Sequence, residues 1–432
     1  MNSIWLKTTE KPQLSSLSGN TETDLLIVGG GLTGLLCAYM LEEAGVDYLL
    51  IESDEICRGI TQNTTAKITA QHGLIYDKII EKYGVEAARQ YYLANSQAVE
   101  DYKKLCRKFD CPFEKQDAFV FSQNHKTKLL NEIAAYRKIG IPARLETEIS
   151  LPFSIAGAVR LQNQGQIHPL KLLYRLSEKL NIKEHTKLIN LAPNEATTNR
   201  GKISFKKAII ATHFPIINKH GAYFLKMYQH RSYLIALEGA PQVEGMFVDE
   251  DMKGLSFRNY GKHLLLGGGG HRTGKKGGGW AELEKFARRH YPKAAIPHRW
   301  AAQDCITLDG LPYVGAYSKN TSNLFVATGF NKWGFTSSLV AAKLLRDLVT
   351  EKQNPLAPLL SPSRSILHPQ LLVNGAEAIL NLITPTTPRC PHLGCALKYN
   401  KQEHSWDCPC HGSRFTEEGK LICGPATDDK KL

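Results

Sequence analysis

Residues Leu25-Leu26-Ile27-Val28-Gly29-Gly30-Gly31-Leu32-Thr33-Gly34 decide how the chain folds. Four consecutive apolar residues predict a parallel strand buried on both faces. Glycines 29, 31 and 34 then form G-x-G-x-x-G. Residues 35–44 keep helical spacing, and Gly45 closes the helix. Residues 46–51 read as a second strand ending at Glu52. In such a unit the glycines let the backbone approach a pyrophosphate, and the helix N-terminus offers N–H groups and a positive dipole end. Glu52 stands where an acid can accept from a ribose hydroxyl. The stretch therefore predicts a bound dinucleotide.

The chain has 432 residues, enough for two or three domains with sizeable cores. No apolar run reaches the length of a membrane span, so no stable membrane insertion is expected. Residues 1–20 hold no apolar core of the signal-peptide kind, and the expected compartment is the cytoplasm. The formal net charge of +13 suits a solvated basic surface, or attraction to an acidic electron carrier or anionic substrate. There is no block of like charge and no nucleic-acid motif, which argues against a nucleic-acid partner.

Residues 61–69 (TQNTTAKIT) form a hydroxyl-rich loop with one lysine, Lys67, suited to lie along a flavin and its pyrophosphate. Residues 76–105 carry an apolar helical stripe. Short strands are predicted at 118–121 and 156–160, and a buried strand at 206–212 that returns to the nucleotide at Thr212. Residues 232–237 and 261–266 read as strands. The glycines at 267–270 and 277–279 read either as a flexible hairpin or as a tract leaving room beside a bound ring. Residues 323–329 form a strand entering a glycine turn, with a helix opening at Thr336. This second strand–turn–helix, with Gly329 and Gly334 at its ends, suits the polar edge of a flavin ring. A nicotinamide domain does not need it, so the expected dinucleotide is FAD. Residues 352–362 and 384–389 read as linkers on either side of a helix at 369–383.

Five of the ten cysteines crowd the last tenth of the chain, which in a cytosolic protein points to metal. The stretches Cys390-Pro391-His392-Leu393-Gly394-Cys395 and Cys408-Pro409-Cys410-His411-Gly412-Ser413 present C-x-H and C-x-x-H. Two thiolates and two imidazoles suit a [2Fe–2S] centre with cysteines on one iron and histidines on the other. Zinc also accepts such a set. The doubled glycine-containing loops and the extra cysteines favour iron–sulfur, with Cys390, His392, Cys408 and His411 as ligands. Cys395 and Cys410 occupy matching places in the two loops, as free thiols or as a disulfide. A disulfide is expected, because it would be buried beside the cluster.

The first 350 or so residues resemble the D-amino-acid-oxidase-like FAD-dependent oxidoreductases. The resemblance is carried by IVGGGLTG (27–34), Glu52, TTAKITAQHG (64–73), KAIIATH (207–213), LDGLPYVG (308–315) and LFVATGFNKWG (324–334). The tail resembles Rieske domains of the cytochrome bc type. The whole chain is similar to bacterial fusions of the two, in which MYQHRSY (227–233), GGGGHRTG (267–274) and WAAQDC (300–305) recur. Rieske domains usually place a few strands before the first ligand loop; here only residues 384–389 separate a helix from Cys390.

The resemblance implies an α/β protein: a Rossmann-like FAD-binding domain, an inserted antiparallel-sheet substrate domain and a small, truncated all-β Rieske domain. The expected FAD-binding segments are 1–80, 156–215 and 306–350. The substrate-domain segments are 81–155 and 216–305, followed by a linker and helix at 351–388 and the Rieske domain at 389–432. It implies oxidation of a C–N bond in an amine or amino-acid-like substrate by hydride transfer to the flavin. Electrons then leave through the cluster to a carrier, a protein or a quinone. The same parts also serve a reductase fed by an external carrier, or a redox sensor. The expected FAD contacts are Gly29, Gly31, Gly34 and Glu52, then Thr64, Thr65, Ala66 and Lys67. Thr212 follows, and Gly329, Trp333, Gly334 and Thr336 complete the set at the second turn. In the glycine-oxidase branch an arginine near that turn holds the substrate carboxylate. Lys332 stands at its place, and a point charge substitutes poorly for a bidentate fork. Arg231 and Arg272 join Lys332 as expected catalytic residues, with Arg258 as a further cation.

Overall fold

The computed structural model describes residues 3–217, 220–365, 369–385 and 388–430. Its strands form three sheets. The first has eight strands, with Thr21–Val28 between Gly201–Ile210 and Tyr48–Ile51, parallel to both. Leu324–Thr328 extends the parallel set beyond Gly201–Ile210. Leu26, Ile27, Ile209, Ile210 and Val326 are fully buried, which is why these segments read as unbroken apolar runs. The helix Leu32–Glu42 leaves the first strand directly and packs on the helix Gly334–Val349. The two glycine turns thus stand side by side, tied by Thr33 Oγ1 and Ser338 Oγ at 2.9 Å.

The second sheet has nine strands and is mostly antiparallel. Its long members are Ala295–Thr307, Met227–Glu238, His263–Arg272, Phe113–Ser122 and Gly157–Ile167. Two expectations change here. Gly157–Ile167 is not a short strand of the FAD-binding segment; it pairs along its length with Phe113–Ser122 in the second sheet. The glycines at 267–270 are not a hairpin but continue the strand His263–Arg272. A side chain at Gly269 (φ +60°) would strike the Gly279 backbone at 2.3 Å, so the tract lets two backbones meet. The helix Tyr76–Lys108 is also interrupted, at Gly84.

The third sheet is small: Lys398–Asn400, Ser405–Asp407, Arg414–Thr416 and Leu421–Cys423, all antiparallel. It carries both cysteine–histidine loops. The helix Pro369–Ile383 precedes it with an inverted pattern. Asn374 and Asn381 are buried, while Leu372, Ile379, Leu380 and Ile383 face outward.

Candidate active site and cluster site

Gly34 and Gly29 build the first turn by close approach. A Cβ on Gly34 would lie 1.9 Å from the Gly29 carbonyl oxygen, and Gly29 itself adopts φ +112° against Ala211. Glu52 ends the second strand and accepts from the Gly30 N–H at 2.7 Å and the Asp54 N–H at 3.0 Å. Leu32 N–H donates to Thr61 Oγ1 at 3.0 Å, holding the following loop against the helix start. Beyond it, Arg258 Nη1 donates to the carbonyls of Thr65 at 2.5 Å and Ala66 at 3.1 Å. The 64–67 loop is thereby fixed from behind.

These elements enclose a cavity of about 1190 Å³. That exceeds ordinary small-ligand sites of roughly 300–1,000 Å³ and leaves space for a dinucleotide with a substrate. Of the expected FAD contacts, Gly31, Glu52, Thr64, Thr65, Lys67, Thr212, Trp333 and Gly334 line it. Gly29, Gly34, Ala66, Gly329 and Thr336 do not; they shape the turns behind the wall. The glycine cradle, the acid at the second strand and the helix N-terminus fit FAD.

The second turn carries real backbone constraint. Asn331 and Lys332 adopt φ of 52° and 71°, the left-handed region that non-glycine residues rarely enter. Asn331 Oδ1 accepts from the Thr307 N–H at 2.8 Å and holds this shape. Lys332 thus reaches the cavity wall, where its Nζ donates to the Met252 carbonyl at 2.8 Å. Burial lowers its pKa to about 8, against the raising effect of Asp304 and Asp251. Lys67 lies on the same wall, lowered to about 7 by burial and by Arg258.

Three arginines lie outside the cavity wall. Arg258 is fully buried among backbone carbonyls behind the loop. Arg231 pairs with Glu403 of the C-terminal sheet unit, its Nε 3.0 Å from Oε1. Arg272 donates to the carbonyl of Pro409 at 3.2 Å and to Asn374 Oδ1 at 2.9 Å. None of the three lines the cavity. Arg231 and Arg272 instead anchor the C-terminal unit, and Arg414 completes the grip on Glu403 at 2.9 Å.

Residues unassigned from sequence also converge here. His72 lines the cavity, stacks on Trp333 at 5.3 Å and contacts Tyr91 and Thr336 at 2.8 Å each. Burial lowers it to about 3, so it is neutral near pH 7. Gln229, Gln303 and Asp304 line the cavity from two neighbouring strands. They sit in the mixed stretches Gln229 to Ser232 and Gln303-Asp304, whose inward-facing members cannot be told without the sheet register.

The C-terminal unit reaches the same cavity: Ile422, Cys423 and Gly424 are part of its wall. Behind them the two ligand loops have matching internal bonds. Cys390 N–H donates to the Cys395 carbonyl at 2.9 Å, and Cys408 N–H to the Ser413 carbonyl at 2.8 Å. The His392 and His411 Nδ1 atoms face each other at 3.3 Å. Burial and the neighbouring His411 lower His392 to about 4, keeping it a neutral donor. Neighbouring thiols draw Cys408 well below its usual value. Two thiols that influence each other, Cys390 and Cys408, and two facing imidazoles match the donor set of a [2Fe–2S] centre. Cys395 and Cys410, the expected disulfide partners, are thiols in this structure, with their sulfurs within 4.8 Å of each other and of Cys408. Among the described residues no helix is long and apolar enough to cross a membrane.

Comparison with known proteins identifies both regions of the chain. Residues 24–348 match the DAO family, FAD dependent oxidoreductase, and residues 379–431 match the Rieske [2Fe-2S] domain. The chain is 35% identical to YhfW of Bacillus subtilis (strain 168), named as a Rieske 2Fe-2S iron-sulfur protein, covering 98% of this chain and 95% of that one. It is 22% identical to gamma-glutamylputrescine oxidoreductase of Escherichia coli (strain K12), over 77% of this chain and 85% of the relative. Among solved structures, glycine oxidase from Geobacillus kaustophilus shares the fold at TM-score 0.67 and 20% identity, covering 80% of this chain and 99% of that one. The chain therefore belongs to the DAO family of FAD-dependent oxidoreductases and carries a C-terminal Rieske [2Fe-2S] domain.

Proposed function

We propose that this protein is a dehydrogenase that oxidises a C–N bond of an amine or amino-acid-like substrate and sends the electrons out through its C-terminal centre. Bound FAD supplies the hydride acceptor, and the [2Fe–2S] centre a one-electron outlet. One observation carries the reading: the cavity wall is shared by the FAD elements, the substrate sheet and residues 422–424 of the Rieske unit.

The chain's own residues support this. The backbone at Gly31 and Leu32 and the Glu52 carboxylate bind the dinucleotide's polar parts. His72, neutral and stacked on Trp333, stiffens the wall beside the second turn. Gln229 and Gln303 join that wall to the second ligand loop. Gln229 Nε2 donates to the His411 carbonyl at 2.7 Å, and Gln303 Nε2 to the Gly412 carbonyl at 2.8 Å. Gly412 (φ +89°) is required there, since a Cβ would lie 2.6 Å from Gln229. The likeness to an oxidoreductase named for gamma-glutamylputrescine supports an amine-bearing substrate. We assign the external electron partner to a carrier protein or a quinone, and the compartment to the cytoplasm.

The test is anaerobic mixing of the FAD-loaded protein with a panel of amines and amino acids. Bleaching of the flavin absorbance by a panel member supports the proposal. Bleaching only by a reduced external carrier would instead support a reductase, and bleaching by neither a sensor.

A further inference from the structure

We infer that Asp304 binds a cationic nitrogen of the substrate, so that the cavity takes amines rather than amino acids anchored by their carboxylate. The inference rests on reading the cavity as the site of C–N oxidation and narrows its substrate class.

Asp304 lies on the strand Ala295–Thr307, opposite His230, and lines the cavity. Among the described residues, no hydrogen-bond donor or ion-pair partner meets its carboxylate; its interactions are longer-range ones with Lys332 and Arg231. Apart from Glu81, which is exposed on the helix Tyr76–Lys108, the other acids of the wall are held. Glu52 accepts from Gly30, Asp309 is clasped by Arg364, and Glu250 meets Lys128 and His125. Asp304 is half-buried in the wall, so its carboxylate is partly shielded from water without a partner, and an entering cation supplies one. Burial accordingly raises Asp304 to about 6, opposed by Lys332 and Arg231.

The nearby cations are already engaged. Lys332 donates to the Met252 carbonyl, and Arg231 is paired with Glu403. Arg258 and Arg272, suited by type to a substrate carboxylate, donate to protein carbonyls away from the cavity. Among the described residues, the open cations of the wall are Lys67, on the FAD loop, and Lys78, on the helix Tyr76–Lys108, both outside the strand that carries Asp304. The substrate sheet therefore offers an open anion and no open guanidinium.

The test uses choline, which cannot undergo the proposed amine oxidation, and its neutral isostere with carbon in place of nitrogen. Binding to the FAD-loaded full chain is read from perturbation of the flavin spectrum. The wild type is expected to bind choline about tenfold or more tighter than the isostere. Asp304→Asn should erase that preference, and Asp304→Glu should keep it. Equal binding of the two probes by the wild type, or a preference that survives in Asp304→Asn, would overturn the inference. If Asp304→Asn does not retain FAD, the wild-type comparison decides. The two readings fail separately: choline preference without flavin bleaching by amines refutes C–N oxidation alone. Bleaching by amines without choline preference refutes the role of Asp304 alone.

Discussion

Gln303 Nε2 lies 2.8 Å from the carbonyl oxygen of Gly412, so a residue of the second sheet's cavity wall holds the second cluster loop directly. The bond sits in a closed set. Thr273 Oγ1 donates to Gln303 Oε1 at 3.0 Å, and Gln303 also donates to Gln229 Oε1. Both glutamines are almost wholly buried, so their polar atoms depend on one another.

Replacing Gln303 with Ala leaves the Gly412 carbonyl, Thr273 and Gln229 short of a partner. Each unsatisfied buried group costs about 1–3 kcal/mol. The variant should melt at lower temperature yet retain FAD and iron. In rapid mixing with substrate, flavin bleaching should keep its wild-type rate while cluster reduction slows. Equal slowing of both steps would show that Gln303 acts on the whole fold and not on the junction.

Glu52 receives two backbone N–H groups in the protein, and we propose that it also accepts from a ribose hydroxyl of FAD. Glu52→Ala should weaken FAD binding by about 1.5–3 kcal/mol, the loss of a hydrogen bond to a charged group. Calorimetric titration of the apoprotein checks this. Unchanged affinity means that the carboxylate only orders the glycine turn.

Ser413 and Phe415 follow the second ligand loop. Ser413 Oγ accepts from the Ala426 N–H at 2.9 Å, leaving its own proton for the cluster side, and it influences the Cys390 thiol. Phe415 is fully buried in the apolar cluster with Cys390, Cys395 and Cys408, where a phenyl ring donates nothing. Hydrogen bonds to cluster sulfur favour the reduced state. Ser413→Ala should therefore lower the midpoint potential and Phe415→Tyr should raise it, both within the Rieske span of roughly −150 to +300 mV. Redox titration followed by electron paramagnetic resonance decides. No change in Phe415→Tyr would mean that the ring position does not address a sulfur.

Asp309 and Arg364 form a buried two-point pair, Nε to Oδ2 and Nη2 to Oδ1 at 2.8 Å each. Burial opposes the Asp309 charge, but Arg364 outweighs it and the carboxyl is lowered to about 2. An unfolded aspartate titrates near 3.9. The pair's contribution is therefore complete above about pH 4 and is lost as pH falls toward 2, on the order of 2–3 kcal/mol. Urea unfolding of wild type and Asp309→Asn across that window should show the difference between them shrinking as the solution is acidified. A constant difference would refute the linkage.

The parallel sheet was legible because strands buried on both faces leave unbroken apolar runs, as at Leu25 to Val28. The ligand loops were legible because metal donors impose spacing. The strand Gly157–Ile167 was read short because residues 162–166 are polar or glycine, although the strand runs through a bulge there and pairs again from Gln164. The pairing of Arg231 was not legible because its partner Glu403 lies 172 residues away, and no local pattern encodes so distant a pair. Asp304 stayed hidden for a related reason: its meaning comes from the partners it lacks, which only the packed sheets reveal.

The central claim is that electrons taken from an amine pass to the C-terminal centre of the same molecule. The most direct measurement is low-temperature electron paramagnetic resonance of the FAD- and iron-loaded protein after anaerobic addition of an amine that bleaches its flavin, with Cys390→Ala alongside. The account predicts a reduced [2Fe–2S] signal in the wild type, and in Cys390→Ala a bleached flavin with no cluster signal. A wild-type cluster that stays oxidised beside a bleached flavin would contradict it.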